Sequence, residues 1–231
     1  ADVFSKVGDS ITVSPYFLTT IGHERYDLRD HGYLTDIVRY YSETNARDGN
    51  SFNNPSLAAA EGWAAWGVLY PAFSLGPPCY ANELPLRCEY RVVRPSIALI
   101  MFGTNDVGYR TPHQYRADLL QIVTISEAMG VIPILSTIPE RPEIQPQVAI
   151  FNSIVRDLAI ERLLPVWDYH AALASVPRYG LGRDNLHPSS PPSGYDGLAD
   201  FTAENLQYGY VVRNLTALQA LYRVQQLLMV G

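Results

Sequence analysis

Lysine is almost missing from this chain: Lys6 is the single one among 231 residues, and arginine supplies the other positive charges. With 17 basic against 23 acidic residues the net charge is −6, which excludes the basic footprint of a nucleic-acid binder. Long hydrophobic runs are also missing. The longest, Ile97 to Phe102, falls far short of the roughly 20 residues that a membrane-crossing helix needs. Cysteine is confined to Cys79 and Cys88 with no C-x-x-C pair, which leaves a zinc site little support. There is no G-x-S-x-G elbow and no H-E-x-x-H helix, so two common hydrolase designs are excluded. No repeat or low-complexity tract interrupts the chain.

What remains is ordinary globular composition, 47% hydrophobic and 17% charged. The length suits one α/β domain over residues 1–231 with a full core. The run Ser96 to Phe102 predicts a strand covered on both faces, as in a parallel sheet. Val131 to Ile138 and Leu164 to Trp167 predict two more strands, and Val3 to Val7 a first one. Helical spacing is read over Tyr33–Ser42, Leu57–Leu69, Pro112–Met129, Gln145–Leu163 and Asn205–Leu228. Gly62 is an oddity in the alanine-rich stretch, because glycine in a helix interior costs about 1 kcal/mol; it marks a weak point or the loop before the helix. Two stretches near 13–32 and 70–91 lack clear periodicity and read as long inserted loops that should rim a site. Strands alternating with helices imply a parallel sheet built from right-handed βαβ steps.

Three short motifs carry chemistry. Gly8-Asp9-Ser10 follows the first strand. A tight turn there would expose the Ser10 hydroxyl as a nucleophile, or Ser10 would simply cap a helix. Gly103-Thr104-Asn105-Asp106 follows the strand ending at Phe102 and reads as an amide donor or as an ordinary turn before a helix. Asp184-Asn185-Leu186-His187-Pro188 offers a base and its orienting acid, with Pro188 biasing His187 towards an extended backbone. In a parallel sheet of order 2-1-3-4-5, ligands sit where the strand order reverses. That rule places Ser10 beside Asn105. His23, His31, His113 and His170 have no comparable neighbourhood and read as surface or packing residues, although His23 and His31 fall in the first long loop.

In their order and spacing these motifs resemble those of the SGNH hydrolases, also called the GDSL esterase/lipase family, from residue 8 to residue 188. The resemblance implies a flavodoxin-like three-layer α/β/α sandwich with about five parallel strands. It also implies hydrolysis of carboxylic esters, with Ser10 as nucleophile, His187 as base and Asp184 as its partner. The oxyanion hole would combine the Ser10 N–H, a glycine N–H and the Asn105 side chain. This sequence departs from the family at the second motif, where Glu61-Gly62-Trp63-Ala64 is the best match and Gly62 the candidate donor. No metal or organic cofactor is needed for this chemistry.

Trp63, Tyr109 and Tyr195 lie near motif residues and are candidates to line the substrate pocket. Acetylated carbohydrate and short-chain or lysophospholipid esters both fit such a pocket. A non-catalytic carbohydrate-binding or adhesion module on the same scaffold is the competing reading, since fold does not fix function. The Ala1-Asp2 start and a cysteine pair able to close one small loop predict export and a disulfide. Asn214-Leu215-Thr216 is a glycosylation sequon only in a compartment that uses it.

Overall fold

The computed structural model describes residues 2–74 and 76–230; Ala1, Leu75 and Gly231 lie outside the described residues. Four parallel strands form the sheet: β1 (Phe4–Gly8), β2 (Ile97–Met101), β3 (Ile132–Ser136) and β4 (Val166–Trp167), in the spatial order β1-β2-β3-β4. β1 and β2 are buried at every position. The apolar run of β2 is what a sheet covered on both faces requires, while β1 buries Ser5 and Lys6 by letting them donate to Glu89 Oε1 and Phe52 O.

One layer contains α4 (Pro85–Val93), α5 (Pro112–Ala128) and α6 (Gln145–Arg162). The other contains α3 (Thr35–Ser42) and α8 (Gly209–Val230). Strand alternation assigns the faces of β1. Ser5 bonds Glu89 of α4, whereas the ring of Phe4 meets that of Tyr41 of α3 edge-on at 5.1 Å. Short helices α1 (Ser10–Val13), α2 (Thr19–Gly22) and α7 (Tyr169–Ala172) complete the set. Local signals place the longer helices well. α5 starts on a capping box, in which Thr111 Oγ1 accepts from Gln114 N and Gln114 Oε1 from Thr111 N, with Pro112 at the first helical position.

Four expectations need correction. The sheet has four strands among the described residues, not about five, and the second strand of the 2-1-3-4-5 order shrinks to one bridge, Gly8 to Ala59. Gly8 N donates to Ala58 O at 3.2 Å and Ala60 N to Gly8 O at 3.3 Å. Both main-chain groups of Gly8 are used there, so the bridge lies on the edge of β1 away from β2. Pro55 cannot donate to a ladder, and small alanines give a strand little to pack. The helix expected over Leu57–Leu69 is therefore this bridge, a turn at Gly62, and a 3₁₀ segment over Ala65–Leu69.

The loops expected at 70–91 and 13–32 are corrected as well. The latter part of 70–91 enters α4, which buries Leu86, Cys88, Glu89 and Tyr90 instead of standing out as a loop. Its proline sits at the first helical position, where proline is tolerated. Cys79 and Cys88 are joined by a disulfide that ties the preceding loop to α4. Residues 13–32 likewise contain α2, with Phe17, Leu18 and Ile21 fully buried. No helix among the described residues is long and apolar enough to cross a membrane.

Candidate active site

Gly8 ends β1 at a point with no room for a side chain. A Cβ there would lie 2.3 Å from Thr12 Oγ1 and 2.6 Å from Met101 O. Asp9 follows as the N-cap of α1, its Oδ1 accepting from Ile11 N at 3.0 Å. Capping therefore falls to Asp9, and Ser10 occupies the first helical position, half-buried, with its hydroxyl free for other use.

That hydroxyl meets the late loop. Ser10 Oγ lies 3.0 Å from His187 Nε2, and His187 Nδ1 lies 2.7 Å from Asp184 Oδ2. An ionised carboxylate can only accept, so Nδ1 carries the ring proton and Nε2 is left to accept from the Ser10 hydroxyl. Asp184 Oδ1 also accepts from the N–H groups of Leu186 and His187, both at 3.1 Å. Burial pushes the Asp184 carboxyl up, but the His187 ring and these two N–H groups outweigh it and hold it below its ordinary range. The loop is pinned at its base. Gly182 N donates to His187 O at 2.8 Å, and Tyr210 N at the start of α8 donates to Ser189 O at 2.9 Å.

β2 delivers the third part. Gly103 takes φ +125°, a conformation glycine adopts freely, and a Cβ would crowd Tyr115 Oη at 2.9 Å. The turn that follows presents Asn105, whose Nδ2 donates to Trp63 O at 2.8 Å. One amide hydrogen is used there and the second remains available. Gly62 sits at φ +72° in a turn closed by Trp63 N donating to Ala60 O at 3.4 Å, the third-residue position where type II turns favour glycine. The N–H groups of Ser10 and Gly62 find no acceptor among the described residues.

Ser10, His187, Asn105 and Gly62 all line one open cleft of about 550 Å³. Ser14, Pro15 and Tyr16 of the first long loop line it too, while nothing from residues 70–91 does. Trp63, Tyr109 and Tyr195 are not among its lining residues. Trp63 stacks on Phe73, Tyr109 accepts from Trp66 Nε1, and Tyr195 packs edge-on against Tyr16. The aromatic walls are instead Tyr16 and Tyr210, whose rings meet edge-on at 5.4 Å. Sequence reasoning missed Tyr210 and Glu61 as lining residues. Tyr210 carries no local signal, since it lies 22 residues after Pro188, whereas Glu61 adjoins Gly62.

Three buried ionisable groups lie near the site. Asp9 is wholly buried, and burial pushes its carboxyl up to about 6 against the opposing pull of the Ile11 N–H, Arg213 and His187. Burial likewise pushes Asp106 up to about 7. Arg213 of α8 donates to Thr12 Oγ1 at 3.1 Å and lies over the Phe17 and Trp167 rings, 4.1 and 4.9 Å from their centroids. It supports α1 from below. The one cluster of three metal-ligand types among the described residues is Cys79, Glu83 and Cys88, and its two sulfurs are already bonded to each other. The sequon at Asn214 is closed in the fold. This side chain is fully buried, accepting from Leu18 N and donating to Tyr16 O and Leu198 O.

The chain aligns over most of its length with several solved structures at low identity. A mutant acetyl esterase bound to acetate has a TM-score of 0.60 and 15% identity, with 96% of this chain and 98% of that one covered. The psychrotrophic esterase EstA from Pseudoalteromonas sp. has a TM-score of 0.57 and 15% identity, covering 98% and 100%. A lipase/acylhydrolase from Enterococcus faecalis has a TM-score of 0.56 and 19% identity, covering 93% and 95%. No curated protein sequence matches the chain significantly. The family model of the GDSL-like Lipase/Acylhydrolase family matches residues 7–195. That match spans all three motifs, and the chain belongs to this family of carboxylic ester hydrolases.

Proposed function

We propose that this hydrolase works through an acyl-enzyme formed on Ser10, with His187 as general base and Asp184 as the group that orients it. The observation that carries the reading is the unbroken hydrogen-bond chain from Ser10 Oγ through the His187 ring to Asp184 Oδ2. His187 Nε2 takes the Ser10 proton as Oγ attacks the ester carbonyl. The carbonyl oxygen becomes an oxyanion, held by the N–H groups of Ser10 and Gly62 and the second Asn105 amide hydrogen. The imidazolium, stabilised by Asp184, then gives its proton to the leaving alkoxide as the C–O bond breaks. Water enters, loses a proton to Nε2, and releases the carboxylic acid with Ser10 restored.

The shape of the cleft supports one substrate class. It is open, with two tyrosines, two prolines, Leu186 and the Glu61 carboxylate around it and no long apolar channel among its lining residues. Short acyl groups on a carbohydrate or other small alcohol suit it better than a long acyl chain. Fold similarity to an acetyl esterase is consistent with this preference. Export to an oxidising compartment fits the Cys79–Cys88 disulfide. The test is hydrolysis of p-nitrophenyl esters from acetate to decanoate, with acetylated xylan alongside, by the native chain and by Ser10→Ala. Ser10-dependent turnover that falls with chain length is expected. Turnover retained by Ser10→Ala overturns the nucleophile assignment, and failure of a serine-directed phosphonate to label Ser10 favours a binding module instead.

A further inference from the structure

The turn that presents Gly62 is anchored on both sides. Ala60 N reaches back to Gly8 O, and beyond the turn two neighbouring residues grip alternate positions: Asn105 Nδ2 on Trp63 O, and Asp106 on Ala65 N. Asp106 is fully buried. Both of its carboxylate oxygens face the Ala65 N–H, at 3.0 and 3.2 Å, its own main-chain N–H adds a lesser contact, and no side chain donates to them among the described residues. No basic side chain forms an ion pair with it among the described residues. Nearby charges are of its own sign, Asp9 and Asp118. A buried acid with only main-chain donors and no cation is expensive to keep, and an apolar residue would fill the space at lower cost. What such an acid adds is a fixed acceptor for one main-chain N–H.

We propose that Asp106 is a positioning residue for the reaction: by clamping the Ala65 N–H it fixes the 60–65 turn, so that the Gly62 N–H and the free Asn105 amide hydrogen converge on one oxyanion. This rests on the Ser10 reading above. Asn105 and Asp106 then divide the work, the first touching the reacting oxygen and the second acting only through the backbone of the turn. The expected signature is a loss at the transition state with substrate binding intact, because the turn borders the cleft without closing it.

The experiment is steady-state hydrolysis of p-nitrophenyl acetate by the native chain, Asp106→Ala, Asp106→Asn, Asn105→Ala and the Asn105→Ala/Asp106→Ala double variant, with Ser10→Ala as control. Asp106→Ala should lower kcat by about 10–10²-fold with KM changed less than about twofold. Asp106→Asn keeps an acceptor for Ala65 N and should recover kcat to within about fivefold of native. In the Asn105→Ala background the further loss should shrink to less than about fivefold, since both changes damage one oxyanion site. If circular dichroism shows Asp106→Ala unfolded, Ala65→Pro reads the same contact from the donor side. Ala64 is extended and position 65 opens a 3₁₀ segment, so proline is accommodated there. That variant should show the same kcat loss. Native kcat in a folded Asp106→Ala or Ala65→Pro, no rescue by Asp106→Asn, or equal losses in both backgrounds overturns the proposal. Turnover surviving in Ser10→Ala overturns the serine reading as well, whereas Ser10-dependent turnover indifferent to Asp106 overturns only this assignment.

Discussion

Asp184 holds His187 with one carboxylate oxygen and its own loop with the other: Oδ2 faces Nδ1 at 2.7 Å while Oδ1 accepts from Leu186 N and His187 N. The two oxygens cannot exchange duties without breaking the loop. In an Asp184→Asn variant the amide oxygen stays on the two backbone donors, so its NH₂ group faces Nδ1 and forces the ring into the opposite tautomer. Nε2 would then carry the proton and could not accept from Ser10. A kcat loss of about 10³–10⁴ is expected.

Asp184→Ala should be milder. The Asp184 side chain is 52% exposed, so water can take its place and accept from Nδ1 with the tautomer preserved. A loss of about 10–10² in kcat is expected, less than for the near-isosteric Asp184→Asn variant. Parallel kinetics on both variants checks the order. If Asp184→Ala is the more damaging, the carboxylate acts by charge and not by choosing the tautomer.

Asn105 has two duties, one amide hydrogen on Trp63 O and one free. Asn105→Ala should cost about 10²–10³ in kcat, and KM should hardly move because the ground-state ester makes little use of the donor. Binding of a phosphonate inhibitor, which carries the anionic oxygen, should weaken in parallel with kcat. Parallel loss of kcat and unchanged inhibitor affinity would remove Asn105 from the oxyanion site.

The parts legible in the sequence share one physical property: each is determined locally. β2 and β3 come from largely apolar runs, β1 from the short segment Val3–Val7 that runs into Gly8, and the motifs at Ser10, Asn105 and His187 lie at loop positions that short-range chemistry marks with Gly, Asp or Pro. The parts that were not legible depend on partners far away in the chain. The second strand has the length of a single bridge because Gly8 takes both bonds from Ala58 and Ala60. α4 was hidden by Pro85 at its start and by Glu89, a residue type rarely buried, which is wholly buried here because Ser5 Oγ and Leu57 N donate to it. The tyrosine walls were misplaced for the same reason, since nothing in α8 announces that the ring of Tyr210 will meet that of Tyr16.

The Cys79–Cys88 disulfide closes a loop of nine residues away from the cleft. Chain entropy assigns such a loop about 2–3 kcal/mol. The Cys79→Ser/Cys88→Ser pair should lower Tm by about 5–10 °C for a chain of this size. kcat and KM should be unchanged at 25 °C. Thermal unfolding with and without reductant, beside ester hydrolysis, tests both halves.

Buried acids beneath the site make stability fall as pH rises towards neutral. Asp9 and Asp106 have carboxyls pushed up to about 6 and about 7 by burial, against an ordinary value of 3.8. Between about pH 4 and pH 7 the folded chain therefore holds protons that the unfolded chain has released. The unfolding free energy falls through that window by up to about 1.4 kcal/mol per pH unit for each proton. Below the window both states are protonated and the effect is fully present as stability; above about pH 7 it has been lost. Asp184, held low, works in the opposite sense but only as pH falls below about 4, outside this range. Asp106→Asn removes one of the two protons without removing the acceptor for Ala65 N, so it should flatten the slope and gain stability at pH 7 relative to pH 4.5. Urea unfolding at half-unit steps from pH 4.5 to 7.5 measures it. A native chain whose stability rises steadily across that range would mean that neither acid is held protonated by its burial.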